Sequence, residues 1–218
     1  MKIVTMLTEK GGSGKTTLTR HLAVAAIQDD QSAACLDADP MGGLRSWGDA
    51  RGRDPFVVPE ASQKPVHVDQ AVDKIRDAGA DYCFIDTAGA LSAVGLHMAR
   101  IANLVLIPLR PTADDVKALW PIVEELKRHA VNFAVVISAA PTTTRRPTTE
   151  TLDLLEAQGV PVAPAIIHQR QIVPDSGING LTALETEATS PADAKAVDEF
   201  KYLWTWAKTR MAEVPVAA

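Results

Sequence analysis

The stretch "EKGGSGKTT", residues 9–17, lies between a short apolar run and a segment with helical spacing. It nearly matches the phosphate-binding loop G-x-x-x-x-G-K-[ST]: Gly14, Lys15 and Thr16 fit the end of that pattern, whereas Glu9 replaces its first glycine. Strand, glycine loop and helix in this order predict that the backbone N–H groups of the loop wrap a phosphate. The positive end of the helix dipole would strengthen that contact.

The rest of the chain alternates apolar, strand-like runs with helical patterns. The strand-like runs are residues 2–8, 33–40, 82–89, 103–111, 133–141 and 160–169, and the helical patterns are residues 15–29, 69–78, 114–130, 148–158 and 191–212. Pro121 predicts a kink in the third helix, and the Gly- and Arg-rich residues 41–55 read as a loop. The alternation predicts an α/β fold, a mostly parallel β-sheet with helices on both faces.

Composition narrows the class of protein. The 218 residues are 46% hydrophobic and predict one domain over 1–218, with a flexible tail from about residue 213. The sequence has no apolar run of about 20 residues, and its N-terminus leaves no room for a cleaved signal. Cys35 and Cys83 lie in apolar runs and indicate buried free thiols in a reducing cytosol. A net charge of −5 argues against a uniformly basic nucleic-acid coat.

Carboxylates follow two of the predicted strands. Asp37 and Asp39 end the second run, and Asp86 ends the apolar stretch that begins at Tyr82. Ligands of parallel sheets bind at the carboxyl ends of the strands, so these side chains should converge on the glycine loop. There Asp86 would complete a Mg²⁺ site with the hydroxyl of Thr16. The alternative for the first two residues is a strand-end turn, because Asp-Pro is typical turn chemistry.

Lys10 is the part of the loop that the motif does not explain. Lys15 already reaches the β- and γ-phosphates of the chain's own nucleotide, and a lysine before the turn would project away from them. Such a lysine can serve a nucleotide that is held by a second copy of the protein, as a cationic group supplied in trans. The alternative is a solvated loop lysine.

Five stretches together resemble the ParA/MinD family of P-loop ATPases. Residues 10–17 look like its deviant Walker A motif, 36–40 ("LDADP") like its second aspartate motif and 84–89 ("FIDTAG") like its Walker B strand. Residues 102–116 ("ANLVLIPLRPTADDV") and 166–170 ("IIHQR") resemble later segments of small ParA-type partition proteins. The resemblance covers most of residues 1–185 in the right order. It implies a single-domain P-loop NTPase fold that uses ATP and Mg²⁺.

The resemblance also implies residue roles and an ATP sandwich dimer in which each Lys10 contacts the partner's nucleotide. It implies catalytic roles for Lys10, Lys15 and Asp39, with the aspartate positioning the attacking water, and metal roles for Thr16, Asp37 and Asp86. The nucleotide would bind to Lys10, Gly11, Gly12, Ser13, Gly14, Lys15, Thr16 and Thr17. Met41 departs from the glutamine usual in the family, which weakens the expected coupling of the 40–48 loop to nucleotide state.

DNA contacts are expected from two regions. Arg145 and Arg146 follow the strand at 133–138, and Lys195 and Arg210 lie on the outward side of the last helix. At helical spacing, the outward side comprises Lys195, Glu199, Tyr202, Trp206 and Arg210, and the opposite side is a predicted core stripe of Val197, Phe200, Trp204, Ala207 and Met211. These cations could contact the DNA backbone without sequence preference. The alternative is that the two outward aromatic residues fill a groove beside another helix.

The resemblance favours a cytoplasmic, nucleoid-associated partition ATPase. It would bind non-specific DNA as an ATP homodimer and release it on hydrolysis stimulated by a ParB-like adaptor that binds the centromere. The same cycle would segregate a plasmid or chromosome, or position another cargo. The chain begins directly at the first strand, which predicts no N-terminal DNA-reading domain. Three alternatives stay open: a MinD-like membrane ATPase, a small ligase and a nucleotide-gated dimerisation scaffold. The first needs a basic amphipathic tail, and "MAEVPVAA" is not one, so no membrane is expected.

Overall fold

The computed structural model describes residues 1–60, 64–89 and 92–213, and its centre is one six-stranded sheet. Every strand pair is parallel, and the order across the sheet is β3-β2-β4-β1-β5-β6. The strands are β1 (Lys2–Met6), β2 (Ala33–Ala38), β3 (Phe56–Pro59), β4 (Tyr82–Thr87), β5 (Leu104–Leu109) and β6 (Phe133–Ile137). The predicted α/β fold with a parallel sheet is confirmed.

Eight helices are present in the described part of the chain. They are α1 (Lys15–Gln28), α2 (Gly43–Arg51), α3 (Pro65–Asp77), α4 (Ala93–Arg100), α5 (Ala113–Arg128), α6 (Arg146–Ala157), α7 (Ile172–Ile178) and α8 (Pro191–Glu213). The start of α8 is as predicted, because Pro191 takes its first position and the Asp193 amide donates to Ser190 Oγ at 3.2 Å. The predicted tail begins at Glu213, and its residues 214–218 lie outside the described residues.

Helices cover both faces of the sheet, because strand side chains alternate between two hydrophobic clusters. In β5, Val105 and Ile107 belong to one cluster, with α3, α4, α5 and α6, whereas Leu104 and Leu106 belong to the other, with α1, α2 and α8. All four side chains are at most 1% exposed. Strands that are buried on both sides have no polar face, which is why they appear in the sequence as unbroken apolar runs.

Several elements differ from the sequence-based expectation. Helix α2 lies in the segment predicted as a loop, and β3, α4 and α7 were not predicted. The strand predicted at residues 160–169 is wrong: this segment makes only isolated bridges, from Val162 to β6 and from His168 to Ala140. Pro161 and Pro164 explain this, because neither has an N–H to donate to a ladder.

Helix α8 buries a different stripe from the predicted one. Phe200, Trp204, Ala207 and Met211 are buried as predicted, but Val197 is only half-buried. Ala196 and Leu203 are buried as well. The side predicted to face outward is correspondingly mixed. Lys195 and Tyr202 are exposed, whereas Glu199, Trp206 and Arg210 are half-buried.

Candidate nucleotide-binding site

The glycine loop connects β1 to α1 in a conformation that needs its glycines. Gly12 and Gly14 have φ values of 72° and 107°, which side chains rarely adopt. The residue that follows β6 holds the loop in place, because Ser138 Oγ donates to the carbonyl of Ser13 at 2.7 Å. Ser13 Oγ in turn donates to the carbonyl of Lys10 at 3.2 Å. The loop is thus pre-formed at the start of α1, where N–H groups and the helix dipole favour an anion.

Lys15, the first residue of α1, is held inside this loop. Its side chain is buried, and Nζ lies 3.5 Å from the carbonyl of Lys10. Burial lowers the pKa of Lys15, and the nearby charges of Asp86 and Asp39 oppose that shift. The ammonium therefore lies in a water-poor position near the Lys10 carbonyl and the carboxylates of Asp86 and Asp39, where it would contact phosphate.

The predicted convergence of strand ends is confirmed. Asp37 of β2 and Asp86 of β4 are paired in register on neighbouring strands, and Met6 at the end of β1 pairs with Asp86 from the other side. Thr16 Oγ1 donates to Asp86 Oδ2 at 2.5 Å. Burial raises the pKa of Asp86 to about 7, and the charge of Asp37 adds to this rise.

The oxygen atoms at this point suit a magnesium ion. Asp86 Oδ1 is buried and has no hydrogen-bond partner within the described residues, although it lies beside a hydroxyl and a second carboxylate. Among all the residues that the structure describes, no group of three or more His, Cys, Asp or Glu side chains is arranged to hold a metal ion. Mg²⁺ needs few protein ligands, because it keeps several waters and binds substrate phosphates. The donors present therefore fit Mg²⁺ better than an ion that needs a full protein cage.

Asp37 and Asp39 organise the turn after β2 as well as facing the loop. Asp37 accepts from the amides of Asp39 at 3.1 Å and Arg45 at 2.7 Å, so its carboxylate anchors the start of α2. Burial raises its pKa, and these backbone bonds oppose the rise. Asp39 is half-buried and accepts from the amide of Met41 at 3.0 Å. Met41, where the resemblance leads one to expect glutamine, is 88% exposed and thus presents an apolar side chain to solvent.

Lys10 lies in an ion cluster that the sequence analysis missed. Its Nζ is 3.8 Å from Asp115 Oδ1, and Asp115 also accepts two hydrogen bonds from Arg110. Lys10 keeps 38% of its side chain exposed and has a carboxylate neighbour in its own chain, so the trans role and the solvated-loop alternative both stay predictions. This cluster could not be predicted without the strand order. Strand β5 lies next to β1, so the residues that follow β5 lie beside the glycine loop that follows β1.

A cavity of about 520 Å³ opens on the other side of the loop. Its walls are residues 12–14, the segment after β6 from Ser138 to Thr143, and the segment from Ile167 to Gln171. Glu199 of α8 fixes the last segment. It accepts from the His168 amide at 3.0 Å and from Arg170 at 2.7 Å, and its Oε1 is 2.8 Å from His168 Nδ1. A cavity of this size beside a phosphate loop can hold a nucleoside.

The four candidate DNA contacts do not form one patch. Arg145 and Arg146 are exposed at the start of α6, and Arg146 Nε donates to Glu150 at 2.6 Å. Lys195 and Arg210 are 15 residues apart on α8, which corresponds to about 22 Å along the helix. Arg210 Nε is buried, without a hydrogen-bond partner in the described ranges. The α6 pair is therefore better placed for phosphate contacts than the α8 pair.

His21 connects helix α1, which follows the glycine loop, to α8 and to the segment that precedes α8. Its ring stacks on Phe200 at 3.9 Å between centroids, Nδ1 lies 2.8 Å from the Thr17 carbonyl, and Nε2 accepts from the Ala183 amide at 3.1 Å. Both ring nitrogens are thus engaged with the ring neutral. Burial, with a smaller contribution from the charge of Arg20, lowers the pKa of His21 to about 3.

We expect the fold to lose stability in mild acid because of His21. The unfolded histidine takes up a proton near pH 6.5 and the folded one does not, so the free energy of unfolding falls as the pH drops from 6.5 toward 3. The loss by pH 5 is about 2 kcal/mol. Urea unfolding at pH 7.5 and 5.0 should show it. His21→Gln should be less stable at pH 7.5 but lose less stability between these two pH values, and equal losses would contradict this role.

Comparison with known proteins agrees with this geometry. Residues 4–183 match the model of the CobQ/CobB/MinD/ParA nucleotide-binding domain. The chain is 30% identical to protein VirC1 of Rhizobium radiobacter over 185 residues, which is 78% of each chain.

Two solved structures share the fold. The MinC:MinD cell division protein complex of Aquifex aeolicus aligns with a TM-score of 0.75 at 16% identity, over 100% of this chain and 98% of the other. A protein assigned to plasmid partition in Borrelia burgdorferi B31, bound to AMPPNP, aligns with a TM-score of 0.70 at 15% identity, over 96% and 98%. On the strength of the family match, the chain belongs to the ParA/MinD family of P-loop ATPases.

Proposed function

We propose that this chain is a single-domain partition ATPase that uses ATP and Mg²⁺, dimerises around two nucleotides and moves a DNA cargo. The observation that carries the proposal is the presence of two lysines with separate environments at one loop. Lys15 is buried with the strand-end carboxylates, whereas Lys10 lies at the loop mouth, partly exposed and beside Asp115. The burial of Lys15 supports a role for it at the chain's own phosphates, and the position of Lys10 at the loop mouth supports the proposal that it reaches a nucleotide across a dimer interface.

Each residue then has a task in hydrolysis. The loop amides and Lys15 would bind the β- and γ-phosphates. Thr16 and Asp86, supported by Asp37, would hold Mg²⁺, which would supply positive charge beside those phosphates. Asp39 orients the attacking water, because its carboxylate is half-buried at the same strand edge. Lys10 of the second subunit stabilises the charge that develops on the transferred phosphoryl group.

Dimerisation would also control DNA binding. One chain carries a net charge of −5 and a single exposed Arg145–Arg146 pair, which is a weak site by itself. A two-fold dimer presents the pair twice, so its salt-sensitive phosphate contacts double. A ParB-like adaptor that stimulates hydrolysis would return the protein to the monomer and release it from the nucleoid.

The proposal is tested by comparing ATP and ADP states. Light scattering should report a dimer with ATP and Mg²⁺ and a monomer with ADP, and only the dimer should be retained on DNA of unrelated sequences. The MinD-like alternative predicts ATP-dependent sedimentation with anionic vesicles instead. No helix in the described ranges is long and apolar enough to cross a membrane. A chain that stays monomeric with ATP would overturn the proposal.

Reversing the charges of Arg145 and Arg146 should weaken DNA binding. The double change to Glu removes up to four phosphate contacts from a dimer, so the slope of log K against log[salt] should fall by about 0.9 for each lost contact. The matched control is Arg76→Glu with Arg128→Glu. Both are exposed, ion-paired arginines near the ends of helices that lead to the opposite strand edge. ATP binding should survive in both double variants, and equal DNA affinities would exclude the α6 pair.

A further inference from the structure

We propose that Arg110 controls how readily Lys10 leaves its own chain, by occupying the carboxylate of Asp115 that would otherwise hold it. Arg110 would thus be a positioning residue for the lysine that acts across the dimer. The inference rests on the proposed trans role of Lys10, and it assigns a regulatory cluster beside the glycine loop.

The two cations of the cluster lie at different distances from the carboxylate of Asp115. Arg110 Nε donates to Asp115 Oδ2 at 2.6 Å, and Arg110 Nη2 donates to Oδ1 at 3.0 Å, so the guanidinium engages both carboxylate oxygens. Lys10 Nζ lies 3.8 Å from Oδ1, which is too far for a hydrogen bond. Asp115 itself is fixed in the first turn of α5, where its amide donates to Thr112 Oγ1 at 3.3 Å and its side chain is 4% exposed.

Charge explains why this arrangement leaves Lys10 loosely held. A bidentate guanidinium–carboxylate pair is among the strongest ion-pair geometries, and it neutralises Asp115. Burial would raise the pKa of Asp115, but the hydrogen bonds and charge of Arg110, with a smaller effect of Lys10, outweigh it and keep that pKa low. Lys10 thus meets a carboxylate that is already paired, while 38% of its own side chain stays in water.

Arg110 is placed to act on the loop mouth. It follows β5, the neighbour of β1, and its Nη1 would lie 3.9 Å from a Cβ built on Gly12. Without Arg110, Lys10 would be the cation left in the ion pair with a buried carboxylate. A movement of about 1 Å would bring its Nζ within charge-assisted hydrogen-bond distance of Oδ1. Lys10 would then be held in cis and would be less available to a second subunit.

The test is a double-mutant cycle of Arg110→Met and Asp115→Asn. Arg110→Met should lower the ATP-dependent dimer fraction and the turnover about tenfold, the effect of one charge-assisted hydrogen bond that must be broken. ADP binding by the monomer should stay within about twofold of the wild type. Adding Asp115→Asn should restore both quantities, because the uncharged amide no longer holds Lys10. Arg110→Lys, which cannot bind both oxygens, should have an intermediate defect that the same second change relieves.

Rescue distinguishes positioning from a direct or structural role. If the double variant is as defective as Arg110→Met, or if Arg110→Met behaves like the wild type, the inference is overturned. Arg110→Lys supplies the same comparison if the methionine variant does not fold. Lys10→Ala, measured in parallel, distinguishes failure of the proposed trans role of Lys10 from failure of the inference about Arg110. Wild-type dimerisation and turnover in Lys10→Ala would defeat the proposed function itself, whereas a defect there without one in Arg110→Met would defeat only this inference.

Discussion

Lys15→Ala should weaken ADP binding by at least about a hundredfold. The ammonium is buried beside the Lys10 carbonyl and interacts with the charges of Asp86 and Asp39, so its loss removes the buried positive charge that a phosphate in the loop would contact. Losing the charge-assisted contact to the β-phosphate and the buried positive charge costs about 3 kcal/mol, and each 1.4 kcal/mol is a factor of ten. Thermal unfolding is a direct measurement. Saturating ADP should raise the midpoint of the wild type by about 5–10 °C and leave that of the variant unchanged.

Lys10→Ala is the matched control, because it removes a lysine from the same loop. Its side chain interacts with Asp115 and lies outside the carboxylate cluster, so the thermal shift with ADP should be retained. Titration calorimetry with ADP would confirm the difference independently of stability. Equal ADP affinity in Lys15→Ala and the wild type would refute the assignment of the phosphate site.

The main features of the sheet were predictable because its strands are buried on both sides. Five of the six strands appear as apolar runs that no helix period explains. Helix α2 could not be predicted from the sequence, because contacts with other parts of the chain stabilise it. Gly42 and Gly52 at its ends both have positive φ, the carboxylate of Asp37 anchors its start from β2, and Trp47 packs it against the core. Sequence spacing cannot report contacts that depend on another strand.

The same distinction applies to the candidate site. Asp37 and Asp86 could be predicted to converge, because every parallel strand brings its carboxyl end to one edge of the sheet. Asp115 and Glu199 could not, because their importance comes from partners that are distant in sequence or follow a different strand. Glu199 was assigned to an outward helix face, yet it fixes His168 and Arg170 beside the cavity. Such side chains are recognisable only once the strand order and the packing of α8 are known.

Mixing two inactive variants should restore ATP hydrolysis if Lys10 acts across the dimer. Lys10→Ala keeps its own Asp39, and Asp39→Ala keeps its Lys10. Asp39→Ala should still bind ATP and Mg²⁺ and accumulate as a dimer, because Lys15, Thr16 and Asp86 remain. Each homodimer lacks one essential group at both sites. A cationic group supplied in trans contributes about 10³-fold or more to phosphoryl transfer, so both parents should be nearly inactive.

The heterodimer contains one complete site, with Asp39 in cis on the Lys10→Ala subunit and Lys10 reaching it from the other subunit. Random one-to-one mixing therefore predicts turnover at about a quarter of all sites, from half the dimers with one competent site each. If Lys10 acted on its own subunit's nucleotide, every site in the mixture would lack one group and phosphate release would stay at the parental level. Heterodimer formation must be shown separately, by affinity capture of a tagged Lys10→Ala chain with untagged Asp39→Ala. Captured heterodimers without phosphate release would exclude the trans role, because the only site with both groups would then have been present and inactive.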